Sequence, residues 1–192
     1  MELSECDDVE VVEFVVDAER ESDTSSSPIE LLHLFNLTQL KEILWRGVAP
    51  SAGFHNLRHV YIRGCDGLES ISWVLELPSL ASLSLHRCRG VEWLIDEEEE
   101  QDRTAVAFPT LKILKLIDLP NLTRICGPQY GLPALEQLRV RGCPKLKKLP
   151  FPSNNNGISS KLKEIKCDKQ WWEGLEWDDE GIKASMEIIV TF

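Results

Sequence analysis

The chain is short of several features that would assign it quickly. No apolar run approaches the roughly 20 residues of a membrane-spanning helix. The first eight residues, Met1 to Asp8, offer neither a basic leader nor an apolar stretch behind it, so no secretory signal is read there. None of the six cysteines forms a C-x-x-C pair, which argues against zinc, and no metal or other cofactor is expected. There is no G-x-x-x-x-G-K-[ST], G-x-S-x-G, H-E-x-x-H or G-x-G-x-x-G, so neither catalysis nor nucleotide binding is expected of this chain. With 192 residues it is long enough to bury a core without disulfides or metal.

Charge of one sign is scarce where it matters. The net charge is −11, yet residues 1–27 hold ten acids and one base, residues 96–103 six and one, and residues 170–192 six and one. The remaining body holds 18 basic and 10 acidic residues. Acidic segments therefore flank and interrupt a basic body.

A repeat is what the chain does have. Leu57, Val60, Ile62, Cys65, Leu68 and Ile71 stand at offsets 0, 3, 5, 8, 11 and 14. Leu80, Leu83, Leu85, Cys88, Val91 and Leu94 repeat the spacing, as do the copies starting at Leu111 and Leu135. An earlier copy starts at Ile29, and a last one, Leu162, Ile165, Cys167, then departs. Leu3, Cys6, Val9 and Val12 fit from the middle of the pattern. Copies begin 23 to 28 residues apart, the spacing of leucine-rich repeats, except for one gap of 31 that holds the Glu97–Glu100 run and reads as an inserted loop. No copy can bury its leucines alone, so neighbours stack. The expected fold is α/β: a leucine-rich-repeat solenoid, or horseshoe, with a parallel sheet on the concave face. Returns rich in proline, such as Leu77-Pro78, Leu119-Pro120 and Cys143-Pro144, predict mostly irregular convex segments.

Three regions follow. Residues 1–28 read as a partial repeat and a flexible acidic loop, the loop running from Glu13 to Pro28. Residues 29–169 read as the repeats, with an acidic insertion at about 96–107 that is solvated, folds back on the basic face or contacts another domain. Residues 170–192, with Trp171, Trp172 and Trp177, read as a cap over the last apolar layer, including a short helix at 180–187 with Ile182 and Met186 inward. The cut first repeat reads as the end of a longer solenoid.

Cys6, Cys65, Cys88 and Cys143 share one repeat slot, which suits a small buried thiol and a reducing compartment, the cytosol or nucleus. The sequons at Asn36 and Asn121 place a core leucine in their middle, so they read as accidents of the repeat. The outward strand positions are the candidate site: Arg58, His59, Tyr61, Arg63, Ser84, His86, Lys112, Lys115, Arg139, Arg141, Lys163 and Lys166. Together they predict a basic, partly aromatic face that docks an acidic protein partner. Too few stacking aromatics interleave the cations for nucleic acid.

The closing segment Trp171-Trp172-Glu-Gly-Leu175-Glu-Trp177-Asp178-Asp179 resembles the C-terminal end of plant coiled-coil-type nucleotide-binding leucine-rich-repeat disease resistance proteins. Gly64-Cys65, Gly142-Cys143 and Leu119-Pro-Asn-Leu122 extend the resemblance over nearly the whole chain. It implies a defence role: sensing a pathogen effector or a guarded host protein, and restraining a nucleotide-binding domain. A coiled coil and P-loop are missing from this chain, which therefore reads as a fragment or a truncated paralogue. The alternative is a substrate adaptor of a ubiquitin ligase, which needs a helical adaptor-binding segment that is not visible. An extracellular repeat receptor would need a signal peptide and paired capping cysteines.

Overall fold

The structure, a computed structural model, describes residues 1–6, 8–15, 29–47, 49–95, 108–126, 132–151, 161–178 and 180–192. Offsets 3 and 5 of each copy alternate with polar or smaller residues, and this period of two makes a strand with one buried face. The strands are β1 (Glu2–Ser4), β3 (Leu31–Phe35), β5 (His59–Arg63), β6 (Ser82–His86), β7 (Ile113–Ile117), β8 (Gln137–Arg141) and β9 (Glu164–Cys167). They pair in parallel in that order, and β10 (Val190–Thr191) adds to β9 as the eighth strand.

Register follows the repeat. Leu32, Val60, Leu83, Leu114, Leu138 and Ile165 are aligned partners, as are Leu34, Ile62, Leu85, Leu116, Val140 and Cys167. Leu3 aligns with Leu34, as its place in the pattern requires. The offset-0 file of Leu57, Leu80, Leu111 and Leu135 is buried throughout, at 2% exposure or less. Full burial of a leucine stabilises by about 1.5–3 kcal/mol, which short, isolated strands could not gain.

Six strands of the sheet, β1, β3, β5, β6, β7 and β8, are followed by a left-handed residue: Glu5, Asn36, Gly64, Arg87, Asp118 and Gly142 have φ between +52° and +67°, whereas Asp168 after β9 has φ −77°. That conformation turns the chain off the sheet at the same offset in these six coils. Its N–H stays satisfied by the next strand's last carbonyl: Asn36 to Arg63, Gly64 to His86, Arg87 to Ile117, Asp118 to Arg141. A Cβ at Gly64 or Gly142 would lie 2.5 Å from the Oδ1 of Asn36 or Asp118, so at these two of the six turns a side chain would have to displace its neighbour as well as bear the strain of a positive φ. One residue later comes the thiol slot. The Cys88 Sγ lies 3.4 Å from the His86 carbonyl, and that of Cys143 lies 3.4 Å from the Arg141 carbonyl.

The convex side is mostly turns, a short helix α1 (Pro50–Gly53) and a 3-10 helix (Ser72–Glu76). The N-terminal coils differ. Residues 13–15, expected in the acidic loop, belong instead to β2 (Val11–Val15), which pairs in parallel with β4 (Glu42–Arg46). Val-Val-Glu-Phe-Val is a β-branched, aromatic run, and Phe14 buries itself against Trp45 at 4.8 Å and Phe54 at 5.3 Å. The same convex offset recurs as a single bridge between Trp93 and Arg124. The rest of the expected loop, 16–28, and the acidic insertion at 96–107 lie outside the described residues.

After β9 come α2 (Lys169–Glu173) and α3 (Glu180–Met186). Trp172 is buried and packs on Trp177 at 5.0 Å, while the Trp171 Nε1 donates to the Leu146 carbonyl at 2.9 Å. Ile182 and Met186 face inward from α3. These residues cover the last coil's apolar layer.

All six cysteines are free, and Cys6 alone among them is exposed. Burial pushes the Cys88 thiol up to about 12, and those of Cys65, Cys143 and Cys167 up to about 11. Thiolate is the reactive form. Iodoacetamide at neutral pH is therefore expected to label Cys6 in the native protein and the other five only after denaturation, as read by peptide mass spectrometry. Native labelling of Cys88 or Cys143 at the rate of Cys6 would contradict the buried turn slot.

Candidate functional site

Three rows of side chains run across the concave sheet. The central row reads His33, Tyr61, Ser84, Lys115, Arg139, Lys166. The row nearer the turns reads Phe35, Arg63, His86, Ile117, Arg141, and the opposite row reads Leu31, His59, Ser82, Ile113, Gln137, Glu164. Neighbours within a row are one strand spacing apart, about 4.8 Å. The candidate residues Tyr61, Arg63, His86, Lys115, Arg139, Arg141 and Lys166 therefore gather in the central and turn-side rows, and His59 sits in the third. Arg58, Lys112 and Lys163 immediately precede their strands and form a margin beside that third row.

Two features of this face departed from the simple outward pattern. Ser84 is buried, at 6% exposure, because its short side chain lies in register between the longer Tyr61 and Lys115. Several cations are also already matched. Glu136 takes the Lys163 ammonium at 2.6 Å and that of Lys112 at 3.9 Å, and this pairing holds its carboxyl below the usual range. Glu164 takes Lys166 at 2.9 Å, and Asp168 takes Arg141 at 3.6 Å.

The N-terminal half of the face is aromatic. His33 and Phe35 meet edge-on at 5.4 Å, Phe35 and Tyr61 lie 5.2 Å apart, and Tyr61 and His86 lie 4.9 Å apart. The rings form one shelf spanning β3, β5 and β6. The His86 Nε2 is buried and has no hydrogen-bond partner among the described residues. Burial first, then the positive charges of Arg63 and Lys115, hold its pKa below 6.5; Asp118 opposes them, and Arg139 adds a smaller lowering effect. His86 thus stays neutral at pH 7 and extends the shelf instead of the charge.

A separate groove of about 540 Å³ follows the turn edge of the sheet, lined in part by Asp66, Arg87, Arg89 and Asp118. Its charges pair with one another, Arg87 with Asp118 at 3.6 Å and Arg89 with Asp66 at 3.8 Å. Among the described residues no group of three or more His, Cys, Asp or Glu could hold a metal, and no helix is long and apolar enough to cross a membrane.

A family model described as plant disease resistance protein RPS2-like, leucine-rich repeats, matches residues 1–89 and 72–169. Disease resistance protein RPS5 of Arabidopsis thaliana is 36% identical over 129 residues, 66% of this chain and 14% of that protein. The putative disease resistance protein At4g10780 of the same plant is 30% identical over 154 residues, 76% of this chain and 17% of that protein. Its disease resistance protein SUMM2 is 32% identical over 137 residues, 70% of this chain and 15% of that protein. The chain thus spans 14% to 17% of the length of these curated relatives.

His86 yields a signed pH prediction. Below pH 6.5 the unfolded chain takes up this proton before the folded one, so its contribution to stability is complete above 6.5 and is lost on acidification. A His86→Asn variant should lose less stability than the parent between pH 7 and about pH 5. An NMR titration of the His86 ring should give a midpoint below 6.5; a midpoint above it would show that the surrounding cations do not act on the ring.

Proposed function

This chain belongs to the RPS2-like leucine-rich-repeat family of plant disease resistance proteins, and we propose that it serves plant defence as a protein-recognition module whose concave face docks other proteins. Its partners would be a pathogen effector or a guarded host protein, and the nucleotide-binding domain of a receptor, which the docked repeats would restrain. The observation that carries this reading is the concave face itself. Arg58, Arg63, Lys112, Lys115, Arg139, Arg141, Lys163 and Lys166 line it around an aromatic shelf, in a chain whose net charge is −11.

Such a face favours an acidic protein surface. Opposite charge speeds encounter and fixes register, and half-buried rings supply the desolvated contact that charge alone does not. The reading assigns no catalysis and no cofactor, and it fits a reducing compartment, the cytosol or nucleus, in which six free thiols persist.

Reversing two of these charges, Arg63→Glu with Arg139→Glu, should weaken capture of a family nucleotide-binding domain or of an effector at least about tenfold. The circular dichroism of the double variant should match the parent. Unchanged capture by a folded variant would remove the concave face from the account. Capture of a ubiquitin-ligase adaptor in place of the nucleotide-binding domain would move the chain to the substrate-adaptor class.

A further inference from the structure

The concave cations are not equivalent. Four of them, Lys112, Lys163, Lys166 and Arg141, have a carboxylate of the same face beside them. A partner approaching these must compete with Glu136, Glu164 and Asp168 for what is already an exposed pair of modest worth. Arg63, Lys115 and Arg139 have no carboxylate among the described residues within ion-pair distance. They stand on β5, β7 and β8, where their charges act on His86; Arg63 is in register with Phe35, and Lys115 and Arg139 continue the row of Tyr61 beyond Ser84. Arg58 is on the far margin, away from the shelf.

Unmatched charge beside half-buried aromatic surface is where a partner gains most on docking. The carboxylates it brings displace no partner among the described residues, and an apolar side chain desolvates ring surface that is otherwise half wet. The spacing selects the shape of the occupant. Tyr61 and Arg139 are three strand spacings apart, about 14 Å, which matches side chains four residues apart in an extended segment. A nucleic acid is disfavoured, because three cations make a short phosphate track and the shelf rings already pack on one another.

We propose that partner recognition is concentrated on Arg63, Lys115 and Arg139 together with Phe35 and Tyr61, and that this patch takes an extended acidic peptide segment. One aromatic or aliphatic side chain of that segment seats on the shelf while its carboxylates meet the three cations. The proposal rests on the concave-docking reading and refines it: Lys112, Lys163, Lys166 and Arg141 contribute little.

The test uses the full chain and a short fluorescein-labelled peptide with one tyrosine and glutamates two and four residues after it, so that in an extended conformation all three side chains share one face; binding is read by anisotropy at low salt. Neutralising Arg63, Lys115 and Arg139 to Gln should weaken binding at least about tenfold, and so should Phe35→Ala combined with Tyr61→Ala. Lys163→Gln with Lys166→Gln should change it less than about threefold. Thermal midpoints of all variants guard against unfolding, and Tyr61→Phe, which keeps the ring, should bind like the parent. Equal losses from both sets of cations would overturn the proposal, because binding would then follow total charge, while concave docking would stand. Failure of the peptide to bind the parent, or its displacement by a single-stranded oligonucleotide of equal charge at equal concentration, would also overturn it. Binding that ignores every concave variant yet is lost on Arg87→Glu at the turn edge would sink the concave reading itself.

Discussion

Contact between the inward aliphatic side chains of one coil and those of the next is the constraint on which the rest of the molecule depends. A five-residue strand such as β6 has no stability of its own, and Leu83 and Leu85 are buried only because β5 and β7 lie on either side. The energetics are those of a stack, in which each layer owes its stability to its neighbours. At the C-terminal end, where the repeat pattern lapses, a layer would be left open. There Trp172, Ile182 and Met186 replace the missing leucines, and β10 pairs with β9.

The turn after each strand converts that stack into a surface. A left-handed residue at one fixed offset sends six successive coils off the sheet in the same direction, and its N–H extends the ladder into the turn. Arg87 accepts this conformation at a cost of about 1–2 kcal/mol that glycine avoids at Gly64 and Gly142. With inward offsets given to packing and the turn offset to backbone geometry, only the outward rows are free to vary without disturbing the fold. Those rows carry the basic and aromatic groups from which docking is argued, so the division of labour between stability and recognition is built into the repeat.

Much of this was legible in the residues alone, because a repeat states its own register. Leu57, Leu80, Leu111 and Leu135 showed the buried file, and the shared Cys65, Cys88 and Cys143 slot showed where the turn falls. The parts that escaped depend on contacts between segments. Residues 13–15 looked like the start of an acidic loop until Glu42–Arg46 supplied a partner strand. The run from Ile188 to Phe192 carried a β-branched signal at 188–191, yet its partner, β9, lies more than 20 residues earlier. Ser84 fits the outward pattern and is buried only through its long neighbours. The pairing of Glu136 with both Lys112 and Lys163 needs three coils in place, and it separates matched cations from unmatched ones.

The stacking claim is tested most directly by a double-mutant cycle on Leu83 and Leu114, which are aligned partners in adjacent coils and fully buried. Each Leu→Ala change should cost about 2–5 kcal/mol in denaturant unfolding. Because each side chain forms part of the other's surroundings, the double variant should depart from additivity by about 0.5–3 kcal/mol. A control cycle between Leu83 and Ile165, three strands apart, should be additive within about 0.5 kcal/mol. Additivity at the adjacent pair equal to that of the distant pair would contradict a core made of coils packed one on the next.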